Sequence, residues 1–337
     1  MSNKGTQSIS VYGAGSWGTA LALQLARNNI NVLLWDFNPN YIAEYQTVRE
    51  NIHFLAGIPF PDNLQCTDKI EDCIRHSNNQ LIVVPSHGFR HLLKQLKPQL
   101  SAQHNIVWAT KGLEVGTGKL LHEVFNEEIQ DKAIPYGLVS GPTFALEVAQ
   151  GLPTAMTIAT TTPELSHRTA TAFQSDNFRV YTSNDILGVE LGGAVKNVLA
   201  IAAGISDGLG FGANARTAII TRGLAEIIRL GESMGAKPET IMGLAGLGDL
   251  VLTCTDNQSR NRRLGLALGK GQTTKEALKQ IGQAVEGAKS SSCIELLAQR
   301  ANIEMPICSE VHRIVHQNLD PKIAVKALLS RHIRSEF

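Results

Sequence analysis

The chain contains 337 residues, a length that allows a large core and is more typical of two domains than of one. Its 31 basic and 30 acidic residues leave a net charge of +1, so charge gives no reason to expect nucleic acid or a membrane surface as a partner. The five cysteines are scattered and form no CxxC pair, so we expect neither a disulfide framework nor a zinc or other metal site.

The first half of the chain alternates short β-rich runs with helix-length segments. The N-terminal residues MSNKGTQ leave no room for a signal peptide before the first run, so we expect a cytoplasmic protein without integral membrane association. The predicted strands are SISVYG, NVLLWD, QLIVVPS, NIVWATKG, YGLVSGP, TAMTIAT and FRVYTS. Strands separated by helices predict a parallel, doubly wound α/β sheet.

A glycine motif follows the first predicted strand. The chain continues as Gly13-x-Gly15-x-x-Gly18, a helix, a second strand and Asp36. Gly13 permits a tight turn, Gly15 lets the backbone approach a diphosphate, and Gly18 lets helix and strand pack closely. Asp36 lies where a carboxylate binds the ribose of NAD, although a strand-end aspartate is also common as a cap or turn residue. We therefore assign residues 1–187 to a Rossmann-like, dinucleotide-binding domain.

Polar residues follow two later strands of the predicted sheet. Lys111 comes after the strand that ends in WAT, and Thr143 comes after the strand that ends in LVS. Ligands of open α/β sheets bind at the carboxyl ends of strands, which makes both residues candidates for binding. The alternative for Lys111 is an ordinary solvated loop lysine.

After Leu187 the β signal disappears and glycine- and proline-punctuated helices follow. We predict helices over 188–206 and 214–234, and further segments that start near Pro238, Asn261, Thr274, Gly287, Pro306 and Pro321. Residues 188–337 are therefore predicted to form a second, all-helical domain. The segment GLGDLVLTCTDNQSRNRRLG adds Asp249, Thr253, Arg260 and Asn261 as polar candidates, with a solvated helix start as the alternative.

The first of these helices carries a lysine in apolar surroundings. Apart from Lys196 and Asn197, the residues from Leu191 to Ile205 are only Leu, Gly, Ala, Val and Ile, which predicts a helix buried on every face. At 15 residues the stretch is too short to cross a bilayer. Burying an ammonium is costly without partners, so Lys196 is a candidate functional residue; the alternative is a lysine that reaches solvent from the helix edge.

Seven of these stretches together resemble one enzyme family. GAGSWGTALA, VPSHGFR, ATKGLE, SGPTFALEVA, GAVKNVLAIAAGISDGLGFGAN, NARTAIITRGLAE and GLGDLVLTCT closely resemble, in the same order, the bacterial-type NAD(P)-dependent glycerol-3-phosphate dehydrogenases. The resemblance implies reversible hydride transfer between NAD(P)H and dihydroxyacetone phosphate, giving sn-glycerol 3-phosphate for phospholipid synthesis. It also implies a Rossmann-like domain, a helical substrate and catalytic domain over residues 188–337, and a homodimer that acts on a small molecule.

The resemblance also implies roles for individual residues. The catalytic residue is Lys196, as the proton acceptor for the substrate hydroxyl. The implied substrate contacts are Lys111, Gly141, Thr143, Lys196, Asp249, Ser259, Arg260 and Asn261. The cofactor contacts, with the motif glycines and Asp36 included, are Gly13, Gly15, Ser16, Trp17, Gly18, Asp36, Phe37, Lys111, Ala145, Arg260, Ala284 and Glu286.

The chemistry of alcohol oxidation explains why these residue types are needed. A base must take the hydroxyl proton while hydride leaves the same carbon. Desolvation and the charge of Lys111 both disfavour the ammonium form of Lys196, while Asn197 and Asp249 could orient it. Arg260 has the planar fork that suits a phosphate.

The cofactor segment WDF, residues 35–37, departs from the family pattern. Many members have a small residue followed by a basic one, whereas this chain has Asp36 and Phe37, which favour NAD over NADP. Two alternative functions remain open from the sequence. One is a β-hydroxyacid-type dehydrogenase, and the other is a dinucleotide-sensing protein without catalysis.

Overall fold

The protein divides into two compact units in a computed structural model that describes residues 7–129 and 133–331. The first unit runs through Glu114 and again from Leu120 to Glu190, and the second comprises Val115–Lys119 and the chain from Leu191 onward. The division thus lies three residues beyond the predicted position 187 and inside a helix. Residues 1–6 and 332–337, the outer ends of the two predicted domains, lie outside the described residues.

The first unit is built on an eight-stranded sheet of order β3-β2-β1-β4-β5-β6-β7-β8. The strands are β1 Ser8–Tyr12, β2 Asn31–Trp35, β3 Leu64–Thr67, β4 Asn79–Ile82, β5 Asn105–Trp108, β6 Tyr136–Ser140, β7 Thr154–Thr160 and β8 Phe178–Ser183. The pairs among the first six strands are parallel, and their order 3-2-1-4-5-6 is that of dinucleotide-binding sheets. The predicted Rossmann-like fold is therefore confirmed.

Seven helices accompany this sheet in the described part of the first unit. They are α1 Ser16–Arg27, α2 Pro39–Val48, α3 Ile70–His76, α4 Ser86–Leu96, α5 Leu121–Ile129, α6 Ala145–Gln150 and α7 Pro163–Phe173. Helix α1 is buried from Gly18 to Ala26, which explains its run of Ala and Leu. Its burial fixes the helix at the carboxyl end of β1, where the glycine motif lies.

Two features of the sheet differ from the sequence prediction. Strand β3 was not predicted, because its four residues LQCT are too short and polar to give a pattern. Strand β7 pairs antiparallel with β6 and parallel with β8, so the sheet is not parallel throughout. Helix α6 between β6 and β7 has only six residues, about 9 Å, and is too short to return along a strand of about 17 Å.

The second unit is helical, with no strand among its described residues from Leu191 onward. Helix α8 (Ile186–Gly208) starts in the first unit and continues into the second. The helices that follow are α9 Gly212–Met234, α10 Pro238–Ile241, α11 Asp249–Thr255, α12 Arg260–Gly269, α13 Thr274–Ile281, α14 Glu286–Ala301, α15 Pro306–Gln317 and α16 Pro321–Leu329. Helix α11 and the π-helical turn Leu244–Gly248 before it were not predicted as separate elements.

Helix α8 is longer than the sequence analysis predicted. Its 23 residues are long and apolar enough to cross a membrane, so the argument from a length of 15 residues is wrong. The helix is instead a core element, because 89% of its most apolar window is buried within the protein. Its glycines permit this packing, since a Cβ at Gly204 would collide with the carbonyl of Arg262 on α12.

Candidate active site

The glycine motif forms the turn between β1 and α1. Gly13 has φ +113°, and a Cβ at Gly18 would collide with the carbonyl oxygen of Gly13, so the protein itself requires both glycines. Gly15 differs, because a Cβ there would meet no atom within 4 Å among the described residues. Open space beside Gly15 fits the close approach of a ligand and is what a dinucleotide diphosphate needs.

The N-terminus of α1 is also suited to an anion. Gly15 occupies the N-cap position, and no side chain of the described residues caps the helix there. The first N–H groups of a helix carry partial positive charge and are a common phosphate-binding element. Ser16 Oγ donates to the carbonyl of Phe54 at 2.8 Å, and the half-buried Trp17 has an indole N–H without a partner in residues 7–129 or 133–331. These residues fit the dinucleotide that the motif predicts.

Asp36 is buried at the end of β2 and is not a free carboxylate. It is 7% exposed, and its Oδ2 and Oδ1 accept backbone N–H groups of Ala14 and Asn38, each at 3.1 Å. Burial raises the pKa of Asp36 above its ordinary value, although these two hydrogen bonds oppose the rise. Asp36 therefore has the turn-stabilising role that the sequence analysis left open, while the neighbouring Phe37 is 78% exposed.

Three predicted residues meet at the ends of β5 and β6. Lys111 Nζ and Thr143 Oγ1 both donate to the carbonyl oxygen of Gly141, each at 3.2 Å. Gly141 has φ +156°, and a Cβ there would lie 2.9 Å from the Cα of Met156. Helix α6 starts immediately afterwards at Ala145. The first unit therefore gathers Lys111, Gly141 and Thr143 at the sheet edge where ligands of this fold bind.

Lys196 is buried in α8 and has two close partners on α11. It is 7% exposed, which rules out a lysine that reaches solvent from the helix edge. Its Nζ donates to Asp249 Oδ1 at 2.6 Å and to Thr253 Oγ1 at 2.8 Å. The carboxylate stabilises the ammonium form, an effect opposite to the desolvation on which the sequence analysis relied. Lys196 is thus paired with a carboxylate rather than isolated in the core.

Asn197, next to the lysine, connects three helices. Asn261 Nδ2 on α12 donates to Asn197 Oδ1 at 2.9 Å, and the N–H of Gly287 on α14 donates to Asn261 Oδ1 at 2.9 Å. A Cβ at Gly287 would lie 2.6 Å from the backbone oxygen of Asn197, so the contact requires glycine. This chain of amides ties α8 to the segments that carry the predicted Arg260 and Glu286.

The remaining predicted residues lie at the starts of α12 and α14. Ser259 is the N-cap of α12, and its Oγ accepts the N–H of Arg262 at 3.2 Å. Burial lowers the pKa of Arg260 from its ordinary value, whereas Glu286 opposes this and Arg263 adds to it. Arg260 and Glu286 are therefore electrostatic neighbours, while Ala284 is exposed just before α14.

Comparison with known proteins assigns this arrangement to a family. Residues 8–166 match the N-terminal domain of NAD-dependent glycerol-3-phosphate dehydrogenase, and residues 185–326 match its C-terminal domain. The chain belongs to the NAD-dependent glycerol-3-phosphate dehydrogenase family. The resemblance inferred from the seven motifs is thereby confirmed.

Individual members of the family match over nearly the full chain. The glycerol-3-phosphate dehydrogenase [NAD(P)+] of Pseudoalteromonas translucida is 53% identical over 98% of this chain and 99% of that protein. The corresponding protein of Bartonella henselae is 55% identical over 98% of this chain and 97% of that protein. The crystal structure of glycerol-3-phosphate dehydrogenase from Coxiella burnetii superposes with a TM-score of 0.93 at 48% identity, covering 97% of this chain and 99% of that one.

The structure also shows a polar residue that the sequence analysis did not consider. Asn51 follows α2 in the segment RENIHF and is fully buried. Its side chain bonds to Ala14 in the glycine motif and to Thr19 in α1. A loop asparagine has no periodic pattern that could have marked it, and its bonding partners lie 37 and 32 positions away.

Proposed function

We propose that this protein catalyses the reversible, NAD(P)-dependent interconversion of dihydroxyacetone phosphate and sn-glycerol 3-phosphate. The observation that carries the proposal is the buried contact of Lys196 with Asp249 and Thr253 in a chain of this family. When bound, the nicotinamide supplies or accepts the hydride. We propose this function rather than that of a β-hydroxyacid-type dehydrogenase or a dinucleotide-sensing protein, because the matched relatives are glycerol-3-phosphate dehydrogenases over nearly their full length.

Lys196 supplies the proton chemistry in this proposal. For reduction, its ammonium donates a proton to the carbonyl oxygen that becomes the hydroxyl, and for oxidation its neutral amine takes that proton back. Asp249 holds the ammonium before reduction, and Thr253 fixes the direction of Nζ from a second side. A charged lysine is the form that reduction requires, so the ion pair prepares the enzyme for synthesis of glycerol 3-phosphate.

The other site residues bind and orient the ligands. In the second unit, the guanidinium of Arg260 suits phosphate oxygens, and we propose that Ser259 and Asn261 assist it at the start of α12. In the first unit, we propose Lys111, Gly141 and Thr143 as substrate contacts. The proposed cofactor contacts outside the glycine motif are Asp36, Phe37, Lys111, Ala145, Arg260, Ala284 and Glu286.

The direct test is the consumption of NADH by the purified protein with dihydroxyacetone phosphate. We expect turnover with this substrate and formation of sn-glycerol 3-phosphate, identified with a stereospecific assay. Unphosphorylated dihydroxyacetone and a β-hydroxyacid with NAD are the matched controls. No turnover of dihydroxyacetone phosphate, or faster turnover of the β-hydroxyacid, would refute the proposal.

We further propose that the enzyme is a cytoplasmic homodimer that supplies phospholipid synthesis. The family resemblance supports this, together with the assignment of residues 1–187 to cofactor binding and of residues 188–337 to substrate binding and catalysis. Light scattering during size-exclusion chromatography measures the oligomeric state directly. A molar mass equal to one 36.4 kDa chain at micromolar concentration would exclude the dimer.

A further inference from the structure

Two buried side chains hold both backbone polar groups of one residue in the glycine motif, Ala14. The N–H of Ala14 donates to Asp36 Oδ2 at 3.1 Å, and the carbonyl oxygen of Ala14 accepts from Asn51 Nδ2 at 2.8 Å. Ala14 lies between Gly13 and Gly15, the two residues at which the chain turns into α1. Asp36 and Asn51 are 7% and 0% exposed, so solvent does not compete for these bonds.

The orientation of the Asn51 amide is determined by its partners. The carbonyl oxygen of Ala14 can only accept, so it must face the NH2 group, which also donates to Thr19 Oγ1 at 2.7 Å. The backbone N–H of Phe54 can only donate, and it lies 3.0 Å from Asn51 Oδ1. No other arrangement of the amide satisfies all three bonds. Aspartate, serine or leucine at this position could not make the same set.

The same network reaches a proposed cofactor contact. Phe54, held by Asn51 through its N–H, accepts the hydroxyl of Ser16 through its carbonyl oxygen at 2.8 Å. Ser16 is the first residue of α1. The loop after α2 thus holds the glycine motif at two points, through Ala14 and through Ser16.

We propose that Asn51 is a positioning residue that keeps the dinucleotide-binding turn formed before the cofactor arrives. Glycine-rich backbone loses much conformational entropy when it becomes ordered. Without such bonds the turn would become ordered only when the cofactor binds, and that entropy loss would weaken cofactor binding. With Asp36 and Asn51 in place, that ordering is completed during folding. The inference rests on the proposed function only in taking NAD(P)H as the ligand.

The test compares two asparagines that have similar bonds at opposite ends of α1. Asn51→Ala removes the bonds to Ala14 and Thr19 and also the bond accepted from the N–H of Phe54. Asn63→Ala removes two bonds donated by a side-chain amide, from Asn63 Nδ2 to the carbonyl oxygens of Ala26 and Ile30, both at 2.8 Å. For each variant we would measure the Kd of NADH by calorimetry, the Tm, the KM of dihydroxyacetone phosphate and kcat at saturating NADH.

We expect Asn51→Ala to raise the Kd of NADH roughly tenfold, since each lost buried hydrogen bond corresponds to a factor of a few to about ten. The Kd of NADPH should rise by the same factor, because the turn binds the diphosphate that both cofactors share. The KM of dihydroxyacetone phosphate and kcat should change less than about threefold. Asn63→Ala should lower the Tm by a similar amount and leave the Kd unchanged.

Several results would overturn the inference. A Kd of NADH within twofold of wild type in Asn51→Ala, or an equal rise of the Kd in Asn63→Ala, would show that Asn51 contributes only to general stability and does not position the turn. Wild-type protein that does not bind NADH would refute the proposed function instead, so the two failures are distinguishable.

A measurement on the wild type covers the case in which Asn51→Ala does not fold. We expect the amide of Ala14 to exchange slowly with deuterium in the cofactor-free protein, as followed by NMR, and to change little when NADH is added. Fast exchange in the free protein and protection only with NADH would show a turn that forms on binding, contrary to the proposal.

Discussion

At the scale of single residues, the contact between Lys196 and Asp249 decides how the proposed catalytic role of Lys196 can be tested. Both groups are buried, so removing the lysine alone leaves an uncompensated carboxylate, a change that typically costs about 3–5 kcal/mol of stability. A loss of activity in Lys196→Met could therefore come from unfolding. The informative variant removes both charges together.

We expect the double variant Lys196→Met, Asp249→Asn to fold and bind NADH while its kcat falls by about 10²–10⁴-fold, the usual effect of losing a proton-transfer group. Asp249→Asn alone is the control that keeps the lysine. The measurements are kcat with dihydroxyacetone phosphate and the Kd of NADH. More than about a tenth of wild-type kcat in the double variant would exclude Lys196 as the proton-transfer residue.

Arg260 is the residue that we expect to bind the substrate phosphate. Arg260→Ala should cost on the order of 1.5–3 kcal/mol in kcat/KM for dihydroxyacetone phosphate, the typical strength of a charge-assisted hydrogen bond. The loss should be much smaller for unphosphorylated dihydroxyacetone. Arg263→Ala, on the same helix, is the matched control for charge. Equal losses on both substrates would show that Arg260 does not contact the phosphate.

The preference for NAD over NADP is better tested at Phe37 than at Asp36, because Asp36 also holds the glycine turn. Phe37 is 78% exposed, so Phe37→Arg should add a positive charge there without disturbing the core. We expect wild type to prefer NADH, and the variant to gain roughly tenfold in kcat/KM for NADPH relative to NADH. A wild-type preference for NADPH would contradict the proposed role of this segment.

At the scale of secondary-structure elements, a buried carboxylate joins α5 to the start of α8. Glu190 Oε1 accepts the backbone N–H of His122 at 3.1 Å, and Oε2 lies 2.5 Å from His122 Nδ1. Desolvation alone would lower the pKa of His122, but Glu190, aided by Glu123, outweighs it and holds the pKa above 6.5. Glu190 thus caps the start of α5 and pairs with the ring of His122 on the same helix.

This pair predicts a pH dependence of stability. Because the folded-state pKa of His122 is raised, its contribution is complete below the ordinary value of 6.5 and is lost as pH rises through the folded-state pKa. The free energy of unfolding of wild type should therefore exceed that of His122→Gln most at about pH 6, with the difference shrinking above it. Urea titrations at several pH values from about 6 upward measure the free energy of unfolding of both proteins. A difference between the two that is independent of pH would contradict the ion pair. His167→Gln, which alters another histidine of the first unit, is the control.

At the scale of the whole molecule, cofactor binding should stabilise the folded protein against heat. The open space beside Gly15 and the bonds to Ala14 belong to the folded state only, so NADH should bind that state and not the unfolded chain. At about 100 times its Kd, a ligand of this kind adds about 2.7 kcal/mol to the free energy of unfolding. A Tm that does not rise with NADH concentration, measured by calorimetry beside an equal concentration of adenine as control, would contradict the proposed site.

Much of the fold and part of the site follow from local sequence patterns. The Gly13-x-Gly15-x-x-Gly18 turn and seven of the eight strands could be predicted because turn geometry and strand periodicity involve only neighbouring residues. Most helix starts from α8 onward were predicted for the same reason, since Pro238, Pro306 and Pro321 occupy the first turn of their helices. The motif resemblance then pointed to the family.

The tertiary structure alone decided what these residues contact. Lys196 and Asp249 are 53 positions apart, and Asn51 and Ala14 are 37 apart, so no local pattern contains either pair. The sequence predicted a buried helix around Lys196 and named Asp249 as a residue that could orient it, but only the structure showed that the two form a direct ion pair. The sequence also left Asp36 open between ribose binding and a turn. Hydrophobic periodicity specifies which face of an element is buried, whereas the partner of a polar group depends on how distant segments pack.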